Sequence, residues 1–212
     1  MEVLKLKKEF DFTKITTPIL LELLQEEMPS PECFLQECKS SLPTFQSTID
    51  KNFPPDLINF ISMPLWVYIN LKDKLGEKKA FEIMRIALLT GGLAKQSILF
   101  DSVNKPRTFE NFIKQELQIN KTGTTKWNDL EVVCKNENKF EIKITKCLYH
   151  ELTTYLQIPE ATKLICQVDN AVFNSYLPEE IIFHRNGINQ RIADGCNECH
   201  FVWEYKNKIN RK

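Results

Sequence analysis

Thiols and imidazoles are gathered toward one end of this chain. All three histidines (His150, His184, His200) and five of the seven cysteines (Cys134, Cys147, Cys166, Cys196, Cys199) lie after residue 123. Cys166 and Asp169 sit in a segment whose apolar residues, Ala161, Leu164, Ile165, Val168 and Val172, recur at helical spacing. At about 100° per residue, Cys166, Asp169 and Phe173 share an adjoining stripe. A thiol and a carboxylate on one side offer a nucleophile with an anion that can hold a cationic substrate group. The alternative is a small buried cysteine beside a solvated or capping aspartate. Cys147 and His150 repeat the i, i+3 spacing at an expected helix start, where the macrodipole would lower a thiol pKa; otherwise Cys147 is a strand-end cysteine near a surface histidine. Arg185 alternates with Ile181 and Phe183 and therefore points to the apolar side of a strand. An inward guanidinium requires an anion, either Asp169 or Glu151 within the protein or a substrate carboxylate. His184 then faces away from that side.

Cys196-Asn197-Glu198-Cys199-His200 matches the C-x-x-C-H haem-attachment string. Its context argues against haem, because His200 opens a strand-like run, Phe201 to Tyr205, with no second axial ligand implied. A zinc site built from Cys196, Cys199, His200 and either Cys166 or His184 lacks the second ligand pair. Strand alternation instead turns Cys199 inward with Phe201 and Trp203. No metal and no cofactor are expected. The six glycines form neither a G-x-G-x-x-G motif nor a P-loop, and H-E-x-x-H and G-x-S-x-G do not occur.

The elements that must position these residues follow from periodicity. Thr17 is read as a helix cap with Pro18 at the first position, followed by Ile19, Leu20, Leu23 and Leu24 on one face. Leu57 to Leu71 continues the helical period to Gly76, and Glu77 to Leu89 forms a helix expected to stop near Gly91 and Gly92. Phe109, Phe112, Ile113 and Leu117 mark a shorter helix. After Gly123 the period drops to two: Phe140, Ile142 and Ile144 alternate with polar residues and pair with Leu130 to Cys134 through the Asn136 to Asn138 turn. Helices at Leu148 to Gln157 and Pro159 to Tyr176 precede strands at Glu180 to Arg185 and Cys199 to Tyr205. This is an α+β chain, with a helical region over 1–122 packed on a small antiparallel sheet with two helices in 123–212. The two regions are expected to form one integrated domain.

Composition narrows the function. Lys plus Arg and Asp plus Glu are both 28, so the net charge is zero and the basic footprint of a nucleic-acid binder is missing. With 42% hydrophobic residues, 14 of the residues being Phe, the chain can build a sizeable core. No stretch approaches the roughly 20 apolar residues of a membrane span, and the N-terminal MEVLKLKKEFDF has no apolar signal region. A cytoplasmic protein with a small-molecule substrate, and with neither membrane nor nucleic-acid partners, is expected. A homo-oligomer is compatible with this reading. Seven cysteines in such a chain read as thiols, metal ligands or nucleophiles rather than a disulfide framework.

Lys146-Cys147-Leu148-Tyr149, Ile158-Pro159-Glu160, Cys166-Gln167-Val168-Asp169, Phe183-His184-Arg185, and Gly195 with Cys199-His200-Phe201 resemble the L-2-amino-thiazoline-4-carboxylic acid hydrolase family. The resemblance spans roughly residues 60–205 and is specific over the last sixty or so. It implies hydrolytic ring opening of a cyclic amidine amino acid to an N-carbamoyl cysteine, and Cys147, Cys166, Asp169, Arg185, Gly195 and Cys199 stand at positions of the family pattern. His200 stands where an acidic residue is expected, and Ile188-Asn189-Gln190 departs from a threonine-containing run. In this reading Cys166 is the nucleophile, Asp169 holds the amidinium, Arg185 takes the carboxylate, Cys147 and Cys199 line the substrate site, and His150 activates water. Direct attack by water is the other route. The Gly195…Cys199-x-Phe201 ending is also similar to vinyl-reductase-type domains, which implies a small-molecule-binding or sensor/partner module without catalysis.

Overall fold

The computed structural model describes residues 13–101, 106–187 and 190–206. The N-terminal dodecapeptide and the Ile188-Asn189 pair after Arg185, both used above, lie outside the described residues. Seven α-helices and four strands follow in order among the described residues: α1 (Thr13–Gln25), α2 (Pro31–Thr48), α3 (Pro55–Leu75), α4 (Glu77–Asp101), α5 (Phe109–Thr122), β1 (Asp129–Lys135), β2 (Lys139–Lys146), α6 (Leu148–Tyr155), α7 (Thr162–Tyr176), β3 (Ile181–His184) and β4 (Cys199–Tyr205). A single 3₁₀ turn, Pro159–Ala161, leads into α7, and another, Ile192–Asp194, precedes β4.

The strands form one antiparallel sheet in the order β1-β2-β4-β3. Its register places Phe140 opposite Trp203, Ile142 opposite Phe201 and Ile144 opposite Cys199, while Phe183 faces Trp203 from β3. Alternation thus produces one aromatic face, on which Trp203 lies 4.9 Å from Phe173, 5.1 Å from Phe112, 5.3 Å from Phe140 and 5.3 Å from Phe183, measured between ring centroids. The Asn136 side chain holds the β1–β2 turn by accepting from the N–H groups of Asn138 and Lys139 at 2.9 and 2.8 Å.

Two helix boundaries differ from the periodicity reading. α1 already includes Thr13, so Pro18 lies inside the helix rather than at its first position, and its missing N–H leaves the carbonyl one turn back without that partner. α4 runs uninterrupted through Gly91 and Gly92. There α4 crosses α7, and a Cβ built on Gly92 would stand 2.5 Å from Cγ1 of Val168. The glycine permits close approach of two helices and does not stop one.

Burial resolves into two clusters. One gathers α1, α2, α3 and the first half of α4 with Tyr149 and Leu152 of α6 and Leu164 of α7. In it Phe45 stacks on Trp66 at 4.6 Å, and Trp66 Nε1 donates to Ser41 Oγ at 2.9 Å. The other joins the aromatic face of the sheet to Phe100, to Phe109, Phe112 and Ile113 of α5, and to Val172, Phe173 and Tyr176 of α7. The helical half meets the sheet through only some of its helices. Helix α5 and the end of α4 reach the sheet together with α7, whereas α1 to α3 bury their apolar faces against α4 and α6. Cys147 packs against both clusters, so it stands at the seam where they meet.

Candidate functional site

Helix α7 displays its chemistry as its sequence spacing requires. Val172 and Phe173 are buried toward the sheet, and Asp169 and Cys166 lie partly covered one and two turns earlier. The strand β3 ends at His184, and the next residue, Arg185, is only 7% exposed. Its guanidinium lies 4.0 Å from the centroid of Phe201, with Nε donating to Asn170 Oδ1 at 2.8 Å and Nη2 to Asp169 Oδ2 at 3.3 Å and to the Cys166 carbonyl at 3.5 Å. The anion that an inward arginine requires is thus Asp169, from the protein itself, and Glu151 takes no part in these bonds. Nη1 is taken up by none of them.

Asp169 keeps 26% of its side-chain surface yet is recessed enough that burial lifts its carboxyl above the usual aspartate range, with Arg185 pulling it back down. The same lost hydration dominates the thiols. Cys166 is pushed up to about 12, first by burial and then by the charge of Asp169, with Arg185 opposing. Cys147 rises to about 11 through burial, although the N–H groups of His150 and Tyr149 at the start of α6 act in the other direction. The expectation that the helix dipole lowers the Cys147 pKa is therefore corrected: near neutral pH desolvation outweighs it, and neither thiol rests as a thiolate. Cys199, buried on the inner face of β4, accepts a hydrogen bond from the Ile192 N–H at 3.0 Å and is also raised, again by burial.

His150 stands apart from this group. Its Nδ1 lies 3.2 Å from Thr162 Oγ1, which is 2.6 Å from Thr153 Oγ1, so the ring is held one turn before Cys166 on α7 without bonding to Cys166 or Asp169. His200 and Cys199 are neighbours whose side chains leave opposite faces of β4. Both His200 ring nitrogens are 2.8 Å from carboxylates, Nδ1 from Glu141 and Nε2 from Glu198, which raises the imidazole pKa, Glu198 acting most strongly. The C-x-x-C-H string therefore does not converge on one point, and no group of three acidic, cysteine or histidine ligands is assembled among the described residues.

An open recess of about 550 Å3 lies between Arg185, Asn186, Gln190, Gly195, Cys196 and His200. Arg185 is the residue shared between the two: it lines the recess, and its guanidinium bonds Asp169 and the Cys166 backbone. Cys166 and Asp169 do not line the recess itself. Residues that sequence reasoning passed over include Asn170, which orients Arg185, Thr162, which holds His150, and Glu116 on α5. Glu116 had a legible signal: it is a carboxylate placed on the apolar stripe of Phe109, Phe112 and Ile113.

A helical bundle joined to a four-stranded antiparallel sheet, with cysteine, aspartate and arginine meeting beside it, defines an α+β protein class. A family model described as L-2-amino-thiazoline-4-carboxylic acid hydrolase matches residues 61–203, about two thirds of the chain. The chain belongs to this family, whose name denotes a hydrolase. Comparison with curated proteins and with solved structures found no match. Among the described residues, no helix is long and apolar enough to cross a membrane.

Proposed function

We propose that this protein hydrolyses a cyclic amidine of the thiazoline amino-acid type, opening the ring at the seam of Cys166, Asp169 and Arg185. The observation that carries the reading is the opposed charge pair of Asp169 and Arg185, 3.3 Å apart beside Cys166 in a chain of this family. A 2-amino-thiazoline-4-carboxylate presents the complementary pair, an amidinium and a carboxylate. Exchange of partners lets Asp169 hold the amidinium while Arg185, through the recess, takes the carboxylate.

Water adds to the amidine carbon, the carbon–sulfur bond of the ring breaks, and the sulfur leaves with a proton as a free thiol. The product is an N-carbamoyl cysteine. In the covalent route Cys166 adds first and is displaced by water; its raised pKa means that a base must take its proton as the substrate binds. In the direct route His150 or Asp169 activates the water and Cys166 only shapes the pocket. Cys147 and Cys199 line the substrate side in both.

The test is release of free thiol from L-2-amino-thiazoline-4-carboxylate by catalytic amounts of protein, with product mass confirmed. Turnover is expected, and Cys166→Ala abolishes it in the covalent route while costing about 1–2 kcal/mol of stability. Full activity of Cys166→Ala leaves direct water attack. No turnover across a panel of cyclic amidines sinks the hydrolase reading in favour of a vinyl-reductase-like binding module, for which the hollow of about 340 Å3 beside Leu93, Phe100, Val172 and Tyr176 is the natural ligand site.

A further inference from the structure

The hydrolase reading leaves one buried carboxyl without a role. Glu116 is 3% exposed and makes no hydrogen bond or ion pair with any described residue. Packing shows where it lies. Phe112, one turn earlier on α5, has its ring 5.8 Å from Phe173 and 5.0 Å from Tyr176 on α7. Asp169 is one turn before Phe173, so a step forward on α5 and a step back on α7 bring Glu116 to face Asp169 across the seam. The two carboxyls interact: burial chiefly, and then the charge of Asp169, push Glu116 up to about 8.

Among the described residues, no cation offsets the charge of Glu116, on which only burial and Asp169 act. From α7 the seam receives Asp169 and Cys166, from the start of α6 Cys147 and Tyr149, from the residue after β3 Arg185, from β4 Cys199, and from the turn before β4 Arg191, which acts on Asp169 and Cys166 while its guanidinium bonds Asp194. All of the others interact electrostatically with Asp169. The Tyr149 hydroxyl donates to the Thr124 carbonyl at 2.5 Å, and the Arg185 bonds go to Asp169, Asn170 and the Cys166 backbone. One turn beyond Glu116, Asn120 accepts from Thr125 Oγ1 at 2.6 Å through its Oδ1, while its Nδ2 is buried without a partner. An unpaired buried acid and an unpaired buried amide one turn apart on α5 are costly unless a ligand completes them.

We propose that Glu116 and Asp169 form a two-carboxylate receptor for the cationic amidine end of the ligand, with the Asn120 amide as a further donor to Glu116. A planar amidinium offers N–H donors on two edges, which suits carboxylates approaching from opposite helices; a single aspartate engages only one edge. This rests on the hydrolase reading and deepens it. Glu116 enters the complex as a carboxylate, and its proton passes to solvent, one per cation bound. Nδ2 of Asn120, one turn away on α5, then donates to the new anion. Once the pH is well above the Glu116 pKa the proton has already left, and binding releases none.

Acetamidinium, which stays a cation across this range, is the probe. Calorimetric titration of the full chain at about pH 7, in buffers of differing ionisation enthalpy, should show close to one proton released per bound cation, falling away above about pH 9. Glu116→Gln copies the neutral carboxyl in shape and should bind about tenfold more weakly or worse, with no proton release. Unchanged affinity and proton release in Glu116→Gln overturns the proposal. So does failure of the wild-type protein to bind acetamidinium at millimolar concentration, or binding without proton release at about pH 7; these two results need no variant. Acetamidinium binding of the expected kind without turnover of L-2-amino-thiazoline-4-carboxylate leaves the receptor standing and removes the hydrolase reading. Turnover whose kcat and KM are both unchanged in Glu116→Gln does the reverse.

Discussion

At Glu116 the stability of the protein is tied to pH. Its folded-state pKa, about 8, lies above the 4.5 of an ordinary glutamate, so between those values the unfolded chain loses a proton that the folded protein retains. Stability therefore falls as pH rises through that interval, by an amount on the order of 3–5 kcal/mol if Glu116 acts alone. Urea unfolding across the interval should show this slope in the wild-type protein, and Glu116→Gln should flatten it. An equal slope in the variant would mean that another group carries it. The raised thiols make a separate prediction. At about pH 7.5, mass mapping after brief iodoacetamide treatment should find exposed Cys33 modified well before Cys166, whose burial keeps it protonated. Cys166 modified first would remove the desolvation argument. Substrate that lowers the Cys166 pKa would narrow the gap, because a bound amidinium offsets the charge of Asp169.

Helices α4 and α7 meet at Gly92 and Val168, and the contact leaves no room for a methyl group. Ala is the better helix former by about 1 kcal/mol, so at an open site Gly92→Ala would stabilise. Here the new Cβ would lie 2.5 Å from a stiff β-branched side chain, and overpacking of this kind typically costs about 1–3 kcal/mol. Gly92→Ala is expected to lower the urea midpoint, and Val168→Ala in the same chain should recover part of the loss. Additive losses in the double variant would show that the two residues do not share one contact. Because Val168 is next to Asp169, a forced shift of α7 at this crossing would also move the carboxylate that holds Arg185.

Across the whole molecule the two apolar clusters share α4 and α7, and Cys147 touches both. Continuous helices cannot unfold in one cluster without loosening the other, so regions 1–122 and 123–212 should melt together. Trp66 belongs to the first cluster and Trp203 to the second. With Trp127 replaced by Phe, variants retaining only Trp66 or only Trp203 should give fluorescence transitions that coincide with the loss of helical circular dichroism. Separated midpoints would establish two folding units. The sequence by itself determined the α+β order, the β1–β2 hairpin, the β4 strand from Cys199 to Tyr205 and the placement of Cys166 with Asp169, because each follows from a local repeat of two or 3.6 residues. Local repeats also misled at Gly91–Gly92 and Pro18, where residues that usually end or begin a helix are held inside one by neighbours. Only the tertiary structure decided that α1 to α3 pack away from the sheet, that Arg185 bonds to Asp169 and Asn170, and that desolvation rather than the helix dipole sets the Cys147 thiol. It alone brought Glu116 to Asp169, 53 positions further along the chain. Hydration lost by a side chain, and the partner that replaces it, depend on every segment packed around it, and no repeat within one segment encodes them.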